Sequence, residues 1–371
     1  MTNLFDPVTV GDLTLPNRIA LAPLTRNRSP GAVPTELTAL YYTQRAEAGL
    51  LITEATAITH QGQGYSDVPG LYSPEQLAGW RKVTDSVHAA GGHIYVQLWH
   101  VGRISHNSLQ PEGKAPVAPS AIAAKAKTYL ADADGKGGFV DTSTPRALEA
   151  SELPGIIEDF RKAVSGAVDT AGFDGVEVHS ANGYLLDQFL RSGSNHRTDE
   201  YGGSIENRLR FPLAVTRAIV ETIGGNRTGI RISPVTPAND ASDPDPQPLF
   251  EAYVRELAKL DLAYVHVIEG ATGGDRDYRQ GSEPFDYAAL KAAYRDAGGK
   301  GAWILNNGYT LELAQAAVEE GRADLVAFGK PFIANPDLVR RFREGAPLNE
   351  IIPDTLYGGG EHGYTDYPTL G

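Results

Sequence analysis

Eight short apolar segments recur along the chain: Arg18–Leu24, Leu50–Ala57, His93–His100, Gly175–Ala181, Gly229–Val235, Ala263–Gly270, Ala302–Gly308 and Leu325–Ile333. Each is rich in Val, Ile, Leu and Ala, and most are followed by a stretch that reads as amphipathic helix. Near-continuous apolar strands alternating with helices require a parallel sheet covered on both faces. Eight such units predict an α/β fold, a (β/α)8 barrel of the TIM type, whose chemistry sits at the C-terminal strand ends.

A barrel of 371 residues still forms one domain, so residues 1–371 are read as a single unit. The 33 basic and 46 acidic residues leave a net charge of −13, which argues against nucleic acid or an anionic membrane as partner. No apolar run approaches the roughly 20 residues of a membrane span. Residues Met1–Pro7 lack the positive and apolar regions of a signal peptide, so a cytoplasmic enzyme is expected. The absence of cysteine excludes disulfides, thiolate metal sites and iron–sulfur clusters.

Residues 1–17 predict a β-hairpin, Val8–Val10 and Leu13–Leu15 about a Gly11-Asp12 turn, plugging the N-terminal mouth. Residues 101–147, after the third strand, hold Pro111, Pro116, Pro119, Pro145 and the run Asp134-Gly135-Lys136-Gly137-Gly138. That segment is too long for a plain connection and predicts a capping insertion over the active-site face. The tail from Tyr357 to Tyr364 is too rich in glycine for helix and is expected to return over the same face.

The fourth segment ends in His179-Ser180-Ala181-Asn182-Gly183-Tyr184. His179 and Asn182 are two neutral donors that suit a developing oxyanion on a carbonyl or nitro group. Tyr184, with an ordinary pKa of about 10, suits delivery of a proton. Arg231 in the fifth strand is costly unless paired, and Glu177 on the adjacent strand is its expected partner. Gln97 and Trp99 share one strand face, offering a bidentate amide and a flat wall. Thr25 puts a hydroxyl at the rim after the first strand, and Ala57 is small enough to admit a flat ring. Gly308 and Gly329 end the last two strands beside Tyr309 and Lys330, with a short helix expected near Asn335-Pro336, in the manner of a barrel phosphate site. Together they describe a pocket for a flat, phosphate-bearing ring. No G-x-G-x-x-G follows any strand, so no separate dinucleotide-binding domain is present.

With these residues placed, the chain resembles the Old Yellow Enzyme family of FMN-dependent ene-reductases, and within it the bacterial nitrate-ester, N-ethylmaleimide and xenobiotic reductases. The motifs that carry the resemblance are Ala22-Pro23-Leu24-Thr25-Arg26, His179–Leu185, Asp199–Arg208 and Phe328–Leu338. The resemblance implies non-covalent FMN lined by Pro23, Leu24, Thr25, Ala57, Gln97 and Arg231. Its phosphate would lie on Gly308, Tyr309, Gly329 and Lys330. His179 and Asn182 would bind the substrate oxygen, Tyr184 would donate the proton, and Tyr65, Trp99 and Tyr357 would shape the substrate pocket. It further implies an NAD(P)H:flavin oxidoreductase (NADH or NADPH as hydride donor) acting by a ping-pong cycle. Reduced FMN passes hydride to the C=C bond of an α,β-unsaturated carbonyl or nitro compound, with nitrate esters as a further class and phenolic ligands as inhibitors. Two features depart from many relatives: Lys330 stands where they carry Arg, making a bidentate phosphate contact a point charge, and one subclass carries Cys at the position of Thr25.

Other barrels share parts of this pattern. A phosphate-sugar aldolase or isomerase would use the same phosphate site, but the Schiff-base version needs an inward lysine that Ala263–Glu269 lacks. A metal-dependent hydrolase without flavin would draw on His100, His179, His266 and Glu269, which form no compact ligand motif. A non-catalytic flavin-binding protein would not need His179, Asn182 and Tyr184 intact.

Overall fold

The chain opens with the hairpin, β1 (Val8–Val10) antiparallel to β2 (Leu13–Leu15). The computed structural model describes residues 2–131, 137–281 and 283–371. Gly11 turns the hairpin with φ +55°, so close to the neighbouring chain that a Cβ would lie 1.8 Å from the Asn226 carbonyl oxygen. Three barrel strands follow, β3 (Ile19–Leu21), β4 (Leu50–Ala57) and β5 (Ile94–Trp99). The insertion contributes β6 (Val117–Ala118), β7 (Lys127–Ala131), β8 (Gly137–Asp141) and β9 (Arg146–Ala147). Five strands complete the barrel: β10 (Gly175–Ser180), β11 (Thr228–Ile232), β12 (Tyr264–Ile268), β13 (Ala302–Asn306) and β14 (Leu325–Phe328). These eight close in chain order, β14 pairing parallel with β3, as the eight apolar segments predict.

The helices are α1 (Glu36–Thr43), α2 (Pro74–Ala89), α3 (Leu153–Ser165), α4 (Leu185–Leu190), α5 (Ile205–Ile223), α6 (Pro246–Leu257), α7 (Tyr287–Asp296), α8 (Leu311–Glu319), α9 (Lys330–Ala334) and α10 (Leu338–Glu344). Local chemistry sets their starts. At α2, Ser73 accepts from the Gln76 N–H while Gln76 reaches back to the Ser73 N–H, and Pro74 supplies the preset φ. None of the described helices is long and apolar enough to cross a membrane.

Inside the barrel, strand alternation sorts the side chains into layers. The lowest layer is apolar: Ala20, Leu50, Ile52, Tyr95, Tyr264, Ile304 and Leu325 pack against Val10 and Leu15 of the hairpin, which seals this end. Gly229 leaves room for the Tyr264 ring, where a Cβ would fall 2.1 Å from a ring carbon. Outward residues of the same strands join the main core beneath the helices.

The strands end up to five residues before the apolar segments do, and the last departs most. The run Leu325–Ile333 is not one strand: β14 stops at Phe328, and Pro331 in the first turn starts α9 at Lys330. An unexpected short helix therefore begins at Lys330 and buries Phe332, Ile333 and Ala334, while the helix expected near Asn335-Pro336 is α10, which begins at Leu338. In the insertion, β7 and β8 form an antiparallel hairpin whose Lys127, Tyr129 and Phe139 reach the barrel mouth. Of the glycine-rich run there, Asp134, Gly135 and Lys136 lie outside the described residues; Gly137 and Gly138 open β8.

The tail contains no helix from Tyr357 to Tyr364 and returns over the mouth. Two buried arginines from the loop after β3 hold it. Arg26 donates to the carbonyls of Leu356 (2.9 Å) and Gly363 (2.8 Å), and Arg28 to those of Thr355 (2.8 Å) and Gly360 (3.0 Å).

Candidate active site

A cavity of about 730 Å³ opens at the C-terminal ends of the strands. Pro23, Leu24 and Thr25 after β3, Tyr65, Asn182, Tyr184, Arg231, Gly308, Tyr309, Gly329, Lys330 and Tyr357 line it. Ala57, Gln97, Trp99 and His179 are not among its lining residues and are largely buried at the same strand ends. Ala57 is bridged through its backbone to Gly70. Every charged side chain among the described lining residues is a cation: Arg26, Lys127, Arg231 and Lys330.

One wall is aromatic. Trp99 stacks on Tyr65 at 5.5 Å and meets Tyr184 edge-on at 4.9 Å, and the His179 ring lies 5.0 Å from that of Tyr184. The hydroxyls of Tyr184 and Tyr65 are 3.1 Å apart. Burial raises the Tyr184 pKa above its ordinary value, outweighing the hydrogen bond from Tyr65 that opposes the rise. The phenol therefore keeps its proton at neutral pH. Burial, with Arg231 and His266 nearby, drives His179 well below the usual imidazole value, so its ring is neutral.

Asn182 follows β10 in the left-handed region, φ +59°, which asparagine tolerates better than most residues. Its N–H donates to Ser233 Oγ (2.8 Å) and its carbonyl accepts from Asn239 Nδ2 (2.8 Å). Asp187 secures the next residue by accepting the Gly183 N–H at 2.8 Å, and is itself held by Arg191 at 2.8 Å in a fully buried ion pair.

Below this wall lies a polar layer, and its pairing differs from the expected one. Glu177 does not pair directly with Arg231. In register, Arg231 faces His179 and Glu177 faces Gly229 and Gln97. Glu177 reaches His266 Nδ1 (2.8 Å) and accepts from Gln97 Nε2 (2.7 Å). Arg231 instead donates to Asn306 Oδ1 at 2.7 Å. Burial opposes the Glu177 charge, but His266, Arg231 and Gln97 outweigh it and hold the carboxyl below its ordinary pKa. Burial keeps His266 below the imidazole value against the pull of Glu177. The layer thus carries Arg231 and Glu177 as charges, with neutral His266 donating to the carboxylate. Arg231 Nε and His179 Nδ1 are buried and find no partner in the protein.

The far end of the cavity is built of backbone. Gly308 has φ +67°, and a Cβ there would meet only the Arg276 Cβ, at 3.8 Å. The amide N–H groups of Gly308 and Gly329 find no acceptor among the described residues. Tyr309 is pinned through its hydroxyl to Glu269 Oε2 (2.7 Å), and Lys330 Nζ rests on the Gly273 carbonyl (3.0 Å). Free amides, a cation and open space suit a phosphate.

The metal alternative gains no geometric support. His266 is spent on Glu177, Glu269 on Tyr309, and among the described residues no three His, Asp or Glu side chains converge as ligands. Sequence reasoning missed Asn239, Thr272 and Asn306, which line the cavity. Only Asn306 carried a signal, as the inward residue at the end of a predicted strand.

Residues 3–349 match the model of the NADH:flavin oxidoreductase / NADH oxidase family. The fold superposes on morphinone reductase with a TM-score of 0.92 at 48% identity, covering 99% of this chain and 96% of that one. Morphinone reductase in complex with tetrahydroNAD also gives 0.92 at 48% identity, covering 100% of this chain and 98% of that one. The Old Yellow Enzyme homologue from Zymomonas mobilis gives 0.92 at 43% identity, covering 100% of both chains. In sequence, the 12-oxophytodienoate reductase 7 of Oryza sativa subsp. japonica is 45% identical over 383 residues, 99% of this chain and 95% of that protein.

Proposed function

This chain belongs to the NADH:flavin oxidoreductase / NADH oxidase family, that of the Old Yellow Enzymes, and from that membership we propose that it reduces the C=C bond of α,β-unsaturated carbonyl or nitro compounds. NADH or NADPH is the hydride donor, nitrate esters are a further substrate class, and phenolic ligands compete for the same place. Residues 1–371 act as one domain, with 101–147 as its cap.

Whether FMN suits this cavity is decided by the protein's unmet groups. The unpartnered Arg231 Nε, the free amides of Gly308 and Gly329 and the adjacent Lys330 are donors in search of an electron-rich, phosphate-bearing ring. They fit. When bound, FMN supplies a ring that accepts hydride from a nicotinamide and yields it to carbon. Pro23, Leu24, Thr25, Ala57, Gln97 and Arg231 would hold that ring, and Gly308, Tyr309, Gly329 and Lys330 its phosphate.

The remaining work is done by three side chains. Asn182 and His179, both neutral, donate to the substrate oxygen and draw electron density from the double bond, so that its β-carbon becomes electrophilic. Tyr184 holds a proton at its hydroxyl and delivers it to the α-carbon. Tyr65, Trp99 and Tyr357 shape the pocket and exclude water around that proton. The observation that carries this reading is the meeting, in one cavity, of the Tyr184 hydroxyl, 3.1 Å from that of Tyr65, and the Asn182 amide with a backbone cradle for phosphate.

The test is product identity. Incubated with NADPH or NADH and 2-cyclohexenone, the FMN-loaded protein is expected to give cyclohexanone, one nicotinamide oxidised per ketone formed. Formation of the allylic alcohol, or no turnover with any activated alkene, nitroalkene or nitrate ester, would overturn the proposal.

A further inference from the structure

A carboxamide has two ends. The NH2 of Asn182 would bind a substrate oxygen, whereas its carbonyl oxygen would repel one. Which end faces the cavity is decided by what the other end meets, and here that is Thr272.

Thr272 lies in the loop between β12 and α7 and lines the cavity. Its hydroxyl is 2.6 Å from Asn182 Oδ1 and 3.0 Å from Thr236 Oγ1. Two backbone N–H groups, which only donate, set the polarity of this chain. Thr236 Oγ1 accepts from the N–H of Thr272 (3.2 Å) and of Ala238 (3.3 Å). Its own proton is therefore free for Thr272 Oγ1, and the Thr272 proton for Asn182 Oδ1. The amide oxygen is consumed as an acceptor, and the NH2 is turned away from it.

The loop that carries Thr272 is braced on both sides of this residue. Asn307 Nδ2 donates to the Ala271 carbonyl (2.8 Å), and Asn307 Oδ1 accepts the Gly273 N–H (3.1 Å). Lys330 Nζ takes the Gly273 carbonyl (3.0 Å). With its own N–H on Ser233 and its own carbonyl on Asn239, Asn182 keeps one uncommitted polar group, the NH2.

We propose that Thr272 is a positioning residue, whose hydroxyl locks the Asn182 carboxamide with its NH2 toward the cavity, so that the site accepts an electron-rich oxygen and rejects a donor. This rests on the assignment of Asn182 to the substrate oxygen. Thr272 faces the cavity rather than the core, so its replacement leaves the packing in place.

The experiment titrates 4-chlorophenol into the FMN-loaded protein and reads its Kd from the change in the flavin spectrum, for the wild type, T272S, T272A, T272V and N182A. Losing an oriented hydrogen bond is expected to raise Kd about tenfold in T272A and T272V, with T272S close to wild type. In N182A the loss is expected to be at least as large, and adding T272A to it should cost nothing more. Normal affinity in T272A and T272V beside weak binding in N182A would overturn the role of Thr272 alone. So would T272S binding as weakly as T272A, since the methyl group rather than the hydroxyl would then matter. Normal affinity in N182A would instead overturn the assignment of Asn182, on which both readings stand.

Discussion

His179 and Tyr184 sit 5.0 Å apart, ring to ring, and burial moves their pKa values in opposite directions for one reason: each is held uncharged. The imidazole gains a proton only well below its ordinary value of about 6.5, and the phenol loses one only above about 10. Neither transition falls in the neutral range. The rate at which an enone reoxidises the bound flavin is therefore expected to be flat from about pH 6 to about pH 9 as far as these groups control it. Stopped-flow measurement across that range checks it. An inflection near pH 6.5 that disappears in His179→Ala would show that the imidazole titrates in the open, contrary to its burial. The grouping of His179, Asn182 and Tyr184 at the end of β10 was legible because they cluster at a strand end within a motif. Thr272 was not: a threonine among glycines and aspartates has no periodicity to betray it, and its significance comes wholly from Asn182, 90 residues away in sequence.

Among the elements, β4 shows most clearly what apolar patterning does and does not reveal. Its limits match the segment Leu50–Ala57, because eight consecutive fully buried positions leave no ambiguity. Its register against β5 nonetheless shifts between Ile52 and Ala55, which no run of buried residues announces. The bulge places Glu54 beside the loop after β3, where its carboxylate accepts the Arg26 N–H at 3.3 Å. Burial pushes its pKa from 4.5 to about 7, against the pull of Arg26 and Arg28. The sign follows from linkage. A carboxyl whose pKa is raised on folding is fully stabilising below about pH 4.5, and that contribution is lost as the pH rises through about 7. Glu54→Gln, which keeps an acceptor and removes the charge, is expected to match the wild type near pH 4.5. Above about pH 8 it should be the more stable, by at most roughly 3 kcal/mol at 1.36 kcal/mol per unit. Thermal melts of both proteins across this range check it; a difference that stays constant with pH would contradict it. The Glu177 pairing was hidden for a similar reason. Alternation put Glu177 on the inward face correctly, but only the register shows that Gly229, not Arg231, stands opposite it.

At the scale of the whole molecule, charge and shape act together. A protein with net charge −13 gathers Arg26, Lys127, Arg231 and Lys330 around one cavity, with no acidic side chain among its described lining. That local field favours phosphate-bearing ligands against the sign of the molecule as a whole. The barrel was legible because its strands are buried on both faces. The tail and the β7–β8 hairpin were legible only as coverings, since side-chain to backbone contacts such as those of Arg26 and Arg28 leave no sequence period. In the proposed cycle nicotinamide and alkene use this cavity in turn, and only the alkene needs a proton there. The two half-reactions of Tyr184→Phe therefore separate binding from proton delivery. Measured anaerobically by stopped flow, reduction of the bound flavin by NADPH or NADH should stay near the wild-type rate, while its reoxidation by 2-cyclohexenone should slow by roughly 10²–10⁴-fold. Equal slowing of both, or of neither, would contradict Tyr184 as the proton donor.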